Sequence, residues 1–453
     1  MNAASAQAGV VTPEQFGAKG DGHTNDTRAF AAMSAAVNAR GGGTVVLRPV
    51  TYLVGTQGPA GSDPTWQYGF PPERIMHFAG CTGALAIRGN GARLRCASGL
   101  RYGNFDPRTG MSTHRSGGAS DRTGFASPYV AMIRVEACKG SVTIGDIELD
   151  GNVAALRISG KSSSREGWQI RASGIALVDN TGPETLSNIW SHHHPLDGIY
   201  LNGEAGRMAA SIISDVRCEH NGRQGCSIVG GRNYSFQRCR FARTGKAGLR
   251  SAPGAGVDIE AQGRTIRNVS FSDCEFSENS GTGLIADSGD SEGVSFTNCR
   301  FIGTTSWSAW PKKPGMRFSK CLFIGTLVNA YGDADPNRAA QFHDCNFRDD
   351  PALSPTGEVF GGRGGRAQAA ILPKNHNVLF NRCRFTLTHD MTLPLSTPAI
   401  RYSDCEMSQR SPVRSRPKGT FLGTNRLNGN IDVRGSVIRG KVILNGRILP
   451  RTR

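Results

Sequence analysis

The sequence predicts an all-β chain, a parallel β-solenoid closed at its N-terminal end by a helix. Three observations carry that prediction. Fifty-nine of 453 residues are glycine, aromatics make up only 7%, and the apolar runs are short, the pattern of many brief strands joined by turns. The other two observations are columns of residues that recur down the chain at the period of a solenoid coil.

The first column is an eight-residue phrase: "YSFQRCRF" at 234, "VSFSDCEF" at 269, "VSFTNCRF" at 294, "MRFSKCLF" at 316, "AQFHDCNF" at 340, "VLFNRCRF" at 378 and the variant "IRYSDCEM" at 400. Apolar residues at the first, third, sixth and eighth places alternate with polar ones, which predicts two short strands with inward side chains and a corner between them. Cysteines 239, 274, 299, 321, 345, 383 and 405 follow at gaps of 35, 25, 22, 24, 38 and 22 residues. One coil cannot bury its own apolar face, but coils stacked about 4.8 Å apart pair their backbones and align like residues into ladders. No two of the twelve cysteines are closer than Cys218 and Cys226, so neither a zinc knuckle nor a redox dithiol is indicated. A buried column of soft side chains is expected instead of disulfides.

The second column aligns on glycine: "DGIYLNG" at 197, "QGCSIVG" at 224, "AGVDIEA" at 255 and "TGLIADS" at 282, with the glycines 27, 31 and 27 residues apart. Two ladders of compatible period favour a solenoid over a sandwich or a leucine-rich horseshoe.

The elements follow in order. The opening "MNAASAQAGV" holds an Ala-Gln-Ala triplet like the small-residue end of an export signal. That reading makes the protein secreted or periplasmic, and an ordinary disordered terminus over 1–10 reads equally well. In the next segment Asp26 or Thr27 caps a helix with Phe30, Met33 and Val37 on one face, ended by glycines 41–43. Such a helix would cover the exposed end of the solenoid and block edge-to-edge pairing. "TVVLRPVTYLV" begins the coils. Stretches 56–80, 98–128 and 152–170 are rich in Gly, Ser and Pro and lack the inward pattern, so they are predicted to leave the solenoid as loops. They carry Trp66, Tyr68, Phe70 and Trp168, whose flat faces suit either sugar stacking or pinning the loops down. From Arg410 to Arg453 there are eleven Lys/Arg and a single acid, Asp432; segment 411–453 reads as further coils or an oligomer contact.

The segment "FGAKGDGHTNDTRAFAAMSAAVNARGGGTVVLRPVTYLV" at 16–54 resembles the N-terminal signature of pectate-lyase-like proteins, and "IGDIELDGN" at 144–152 is similar to that superfamily too. With the repeats, the resemblance spans most of residues 10–410. It implies a right-handed parallel β-helix over 11–410 with an N-terminal capping helix. It also implies work on polysaccharides, since the superfamily holds polysaccharide lyases, glycoside hydrolases, alginate C5-epimerases and phage tailspikes. Trimers occur among these proteins, so a homotrimer is admitted. The epimerases lead one to look for Asp-Pro-His near a tyrosine; "FDPRTG" at 105–110 has Arg108 in the histidine's place, which counts against epimerisation.

Lys and Arg outnumber Asp and Glu 53 to 36, a formal charge of +17 that attracts polyanions and makes binding salt-dependent. The basic residues lie among strand-like segments without a basic helix, zinc-finger spacing or aromatic RNA-binding motif, so an acidic polysaccharide is the expected partner and nucleic acid is not. No apolar stretch approaches the roughly 20 residues that cross a bilayer.

In the glycine-aligned coils the second residue after glycine points outward and gives Tyr200, Ser227, Asp258 and Ile285; the fourth gives Asn202, Val229, Glu260 and Asp287. Three carboxylates thus fall on two coils. Ideal strand spacing would put Glu260 and Asp287 near about 5 Å, Asp258 and Glu260 near about 6.6 Å, and Asp258 and Asp287 near about 8 Å, which spans both retaining and inverting geometries. Crowded carboxylates raise one pKa, so that one acid protonates a leaving oxygen while another activates water or attacks. Asp258, Glu260 and Asp287 are therefore the expected catalytic residues of a glycoside hydrolase. A merely solvated face and a calcium site are the competing readings.

Substrate contacts are expected from Asp197, Tyr200, Asn202, His194, Gln224, Arg250, Trp168 and Trp307, with Trp310 beside the last. His192, His193 and His194 read as a loop. Three consecutive residues of a strand cannot all face one ligand, so no zinc site is assigned, and a substrate-contacting or proton-handling histidine is preferred. A lyase would need a base and a cation beside the uronate carboxylate, for which Lys246, Arg250 and Arg264 are available, with calcium as cofactor; hydrolysis needs none. A non-catalytic glycan-binding β-helix, such as a tailspike stem, is the remaining alternative.

Overall fold

Most of the short strands run parallel, hydrogen-bonded to the strand one coil away; Arg101–Asn104 with Phe125–Ala126 and Lys441–Leu444 with Arg447–Ile448 are antiparallel pairs. The computed structural model describes residues 9–62, 68–113, 124–160, 168–361, 367–372 and 376–452. The chain divides into two units, Met1–Arg232 with Thr244–Gly254, and Asn233–Arg243 with Ala255–Arg453.

In the first unit the helix Thr27–Ala39 buries Phe30, Met33 and Val37 as its spacing requires. The Asp26 side chain does not cap it; it accepts the backbone N–H groups of Lys19 and Gly20 at 2.7 and 3.0 Å. The helix ends on Gly41, Gly42 and Gly43, all at positive φ. Its Asn38 then does what a neighbouring strand would do. The amide donates to the His77 carbonyl at 2.9 Å and accepts from the Ala79 N–H at 3.0 Å, so an edge strand is closed by a side chain.

That strand, Met76–Ala79, lies inside the stretch 56–80 that the sequence assigns to a loop. It pairs in parallel with Ala131–Glu136, which pairs with Ser173–Val178, then Asp197–Asn202, then the strand beginning at Gln224. The other two expected loops also contain strands. Arg101–Asn104 pairs with Arg157–Ser159 and Phe125–Ala126 in a separate three-stranded sheet. Their backbone groups find partners away from the coils, and a composition rich in turn residues does not reveal this.

The second unit is built on the eight-residue phrase. Its third-place rings, Phe236, Phe271, Phe296, Phe318, Phe342 and Phe380, stack at 4.4 to 5.0 Å. The eighth-place rings run in a second ladder, Phe276, Phe301, Phe323, Phe347 and Phe385, at 4.4 to 4.9 Å. The fifth-place residue of every phrase has left-handed backbone, φ 51 to 55° at Arg238, Asp273, Asn298, Lys320, Asp344, Arg382 and Asp404, and this turns the corner between the two strands. Asn and Asp tolerate that region best, yet Arg and Lys are accepted here because the stacked coils on either side dictate the bend. Beyond residue 410 the strands Thr420–Leu422 and Thr424–Asn428 pair in parallel with Arg401–Ser403 and Glu406–Gln409.

All twelve cysteines are buried and none is bonded to another. Neighbours in the column touch through sulfur, as where the Cys239 N–H donates to Cys274 Sγ at 3.4 Å. A thiol reagent such as Ellman's is expected to find no fast-reacting group in the native protein and twelve after denaturation, since reactivity needs an exposed thiolate. Any shortfall of the denatured count would reveal disulfides.

Candidate functional site

In the second unit, Asp258 lies on the strand Ala255–Ile259 and is 6% exposed. Val257 and Ile259 beside it are wholly buried, and the strand is buried along its whole length, so Asp258 is more covered than the sequence predicts. Val257 and Asp258 stand opposite Leu284 and Ile285, and Ile285 stands opposite Trp310. One outward row therefore carries Asp258, Ile285 and Trp310. Glu260 and Asp287 follow the ends of their strands and are half-buried. Glu260 accepts from the Ser288 hydroxyl at 2.7 Å and from Gln262 at 3.4 Å. Lys313 joins them: burial lowers its pKa, and the charges of Asp287, Asp290 and Glu260 oppose that shift. Trp307 meets Trp310 edge to face at 5.2 Å. The structure thus brings acids, an ammonium and an aromatic pair to one region of this unit.

The first unit places the expected binding residues unevenly. Asp197 is wholly buried. Burial raises its pKa, against the charge of Arg223 and the hydrogen bond from Ser227, whose hydroxyl donates to Oδ2 at 2.9 Å. Gln224, opposite Asp197 in register, is wholly buried too. His194 is enclosed as well, its Nδ1 at 2.8 Å from the Tyr129 hydroxyl, and burial lowers its pKa to about 3. As the chain is folded, none of the three presents an atom to a surface ligand. Asp197 starts its strand facing inward, and His194 lies past the corner that His193 turns.

Tyr200 and Asn202 do reach the surface. They line a recess with Arg134 and Arg171. Asn202 stands opposite Gly230 and not Val229, because the register shifts after Leu201. A second recess shares Arg134 and Arg171 and adds Arg74, His77 and Glu136. Glu136 accepts from His77 Nε2 at 2.6 Å and from Arg134 Nε at 2.7 Å. Burial acts to raise its pKa, but Arg134 and His77 hold it below the usual carboxylate range. Burial lowers the pKa of His77, against its bond to Glu136.

Sequence reasoning missed Arg74, His77, Arg134, Glu136 and Arg171. A signal existed. Gly174 in "SGIALVD" stands one coil before Gly198, since Ile175 pairs with Ile199, and extending the glycine column would have brought Ala176 into line with Tyr200; the row continues to Arg134 and His77 by strand register alone.

The remaining aromatic and basic candidates separate clearly. Trp168 is half-buried and donates to the Ser159 carbonyl at 3.1 Å. Phe70 packs with Phe105 and Ala126 in a small core, capped by Arg101 at 4.6 Å from its ring, and is no open platform. Trp66 lies outside the described residues. Lys246 and Arg250 are exposed in the first unit and Arg264 is half-buried in the second. In "FDPRTG" the Asp106 carboxylate accepts the N–H groups of Arg108 and Thr109 at 2.8 and 3.2 Å, a turn-forming role. The three consecutive histidines diverge, with His194 wholly buried and the buried His192 and half-buried His193 turned toward Asp150.

The fold is a right-handed parallel β-helix. Residues 133–323 match a family model described as "Right handed beta helix region". Among solved structures, the N-terminal fragment of bacteriophage phi29 gene product 12 is 13% identical, with a TM-score of 0.54 over 97% of this chain and 73% of that one. The A-module of the mannuronan C-5 epimerase AlgE4 of Azotobacter vinelandii is 16% identical, with a TM-score of 0.45 over 96% and 97%. The tailspike protein gp49 of Acinetobacter baumannii bacteriophage Fri1, a capsular polysaccharide depolymerase, is 13% identical, with a TM-score of 0.43 over 94% and 64%. The likeness is one of fold. No curated protein sequence matches the chain.

Proposed function

We propose that this β-helix binds an anionic polysaccharide and hydrolyses its glycosidic bonds, with Asp258, Glu260 and Asp287 as the catalytic carboxylates. The observation that carries the reading is the company these acids keep. Glu260 and Asp287 lie close enough to Lys313 for their charges to act on its ammonium, which donates to the Gly289 carbonyl at 2.6 Å, and Asp258 lies in the outward row that leads to Trp310. Acids that exchange protons with a glycosidic oxygen, beside a flat ring that stacks on a sugar, are the parts glycoside hydrolysis needs. The anionic character of the substrate rests on the first unit, where Arg134 and Arg171 line one recess with Tyr200 and Asn202 and a second with Arg74. Guanidinium forks match carboxylates.

A second reading has its own support. Those arginine-lined recesses need no chemistry to hold a glycan, so binding without cleavage fits the first unit taken alone.

The test is a panel of anionic and neutral polysaccharides, followed by reducing-end release and by the absorbance of an unsaturated product. Reducing ends without that absorbance support hydrolysis. The absorbance supports β-elimination instead, and binding without cleavage supports the second reading. Arg171→Ala is expected to weaken binding of the anionic polymer about tenfold, about 1.4 kcal/mol, and to flatten its salt dependence. Unchanged affinity would remove the recess from the binding face.

A further inference from the structure

We propose that Asp150, His192 and His193 form a binding site for a divalent transition-metal ion of the zinc type on a corner of the first unit. Each offers one ligand atom, and these atoms all lie within 4.8 Å of one another. His192 Nδ1 is 2.6 Å from His193 Nδ1 and 3.8 Å from Asp150 Oδ1. Two imidazole nitrogens and a carboxylate oxygen form a donor set suited to zinc and its neighbours, and unsuited to calcium or magnesium.

The backbone explains how two adjacent histidines meet. His192 ends the strand Glu184–His192 in register with Asp150 of the preceding coil. His193 has left-handed backbone, φ 55°, and the alternation of a strand stops there. Its side chain swings back toward His192 where a strand would send it to the opposite face. This is the step that made a shared ligand look unreachable in the sequence.

The surroundings orient the ligand atoms. His192 Nε2 lies 3.1 Å from Glu148 Oε1. A carboxylate there takes the ring N–H and leaves the Nδ1 lone pair facing the other two groups, the arrangement that supports metal-bound histidine. The ring is also clamped by Trp190, with centroids 4.0 Å apart, and His193 is stacked on His220 at 4.9 Å. Arg93 and Arg95 engage Asp150 through Oδ2, whereas Oδ1 receives the Asn152 N–H at 2.8 Å and faces His192. Zinc–nitrogen bonds of about 2.0–2.1 Å require the two nitrogens to open to about 3.4 Å in a tetrahedral site, a rotation of the half-buried His193 ring. Three protein ligands leave one position for water.

The test uses the full chain stripped with a chelator and titrated with zinc or cobalt(II). The expected result is one ion per chain by elemental analysis and calorimetry, and a ligand-field spectrum for cobalt. His193→Asn is the main variant, because asparagine accepts left-handed backbone and the corner should fold; at least a tenfold loss of affinity is expected. Glu148→Gln, which keeps the ligands, is expected to weaken binding about 10–100-fold. His343→Ala, on a surface of the second unit, is expected to bind as the parent does. Circular dichroism confirms that each variant is folded. No stoichiometric binding by the parent, or equal affinity in His193→Asn, would overturn the site.

Discussion

Replacing Glu260 with Gln is expected to cut turnover of the polysaccharide substrate by about 10²–10⁴-fold, with a thermal midpoint close to that of the parent. The amide is the same size, and the half-buried position lets it keep a contact with the Ser288 hydroxyl. What it loses is the ability to carry or release a proton. Asp258→Asn is expected to do the same to turnover. Reducing-end assays at saturating substrate, with binding measured separately, check both. Full activity in both variants would leave the acids as a solvated face and give up the catalytic assignment.

Phe301→Ala is expected to cost about 3–5 kcal/mol of folding stability. The ring is wholly buried, stacks on Phe276 at 4.6 Å and on Phe323 at 4.9 Å, and meets Phe296 edge-on at 5.4 Å. Its removal opens a cavity in two ladders at once, and coils that fit this tightly cannot close over it. Urea denaturation read by circular dichroism measures the loss. A cost below about 1 kcal/mol would mean that the coils yield far more than their packing suggests.

Legibility in the sequence followed repetition. The phrase around Cys299 was readable because Phe296, Cys299 and Phe301 recur together in coil after coil, and a column that recurs must face one core. The register that sets Asp258 opposite Ile285 was readable for the same reason, through Gly256 and Gly283. Residues that act once were not. His193 brings its ring to Asp150 through a single left-handed backbone angle, and no local pattern announces that. Arg134 and Glu136 sit in "AMIRVE", a strand without the marking glycine, so their place beside Tyr200 emerges only from register. Asp197 is a substrate contact by the sequence reading, and only packing shows that Ser227 and Arg223 enclose it.

The left-handed corner residue in each phrase has an evolutionary consequence. It confines the bend to one backbone position and leaves the chain between phrases free to vary. Cys321 and Cys345 are separated by 24 residues and Cys345 and Cys383 by 38, yet Phe323 stacks on Phe347 at 4.9 Å and Phe347 on Phe385 at 4.4 Å. An insertion of a dozen or so residues has left the rise per coil intact. A lineage built this way can acquire new surface one segment at a time, exchanging what it recognises while inheriting its interior unchanged.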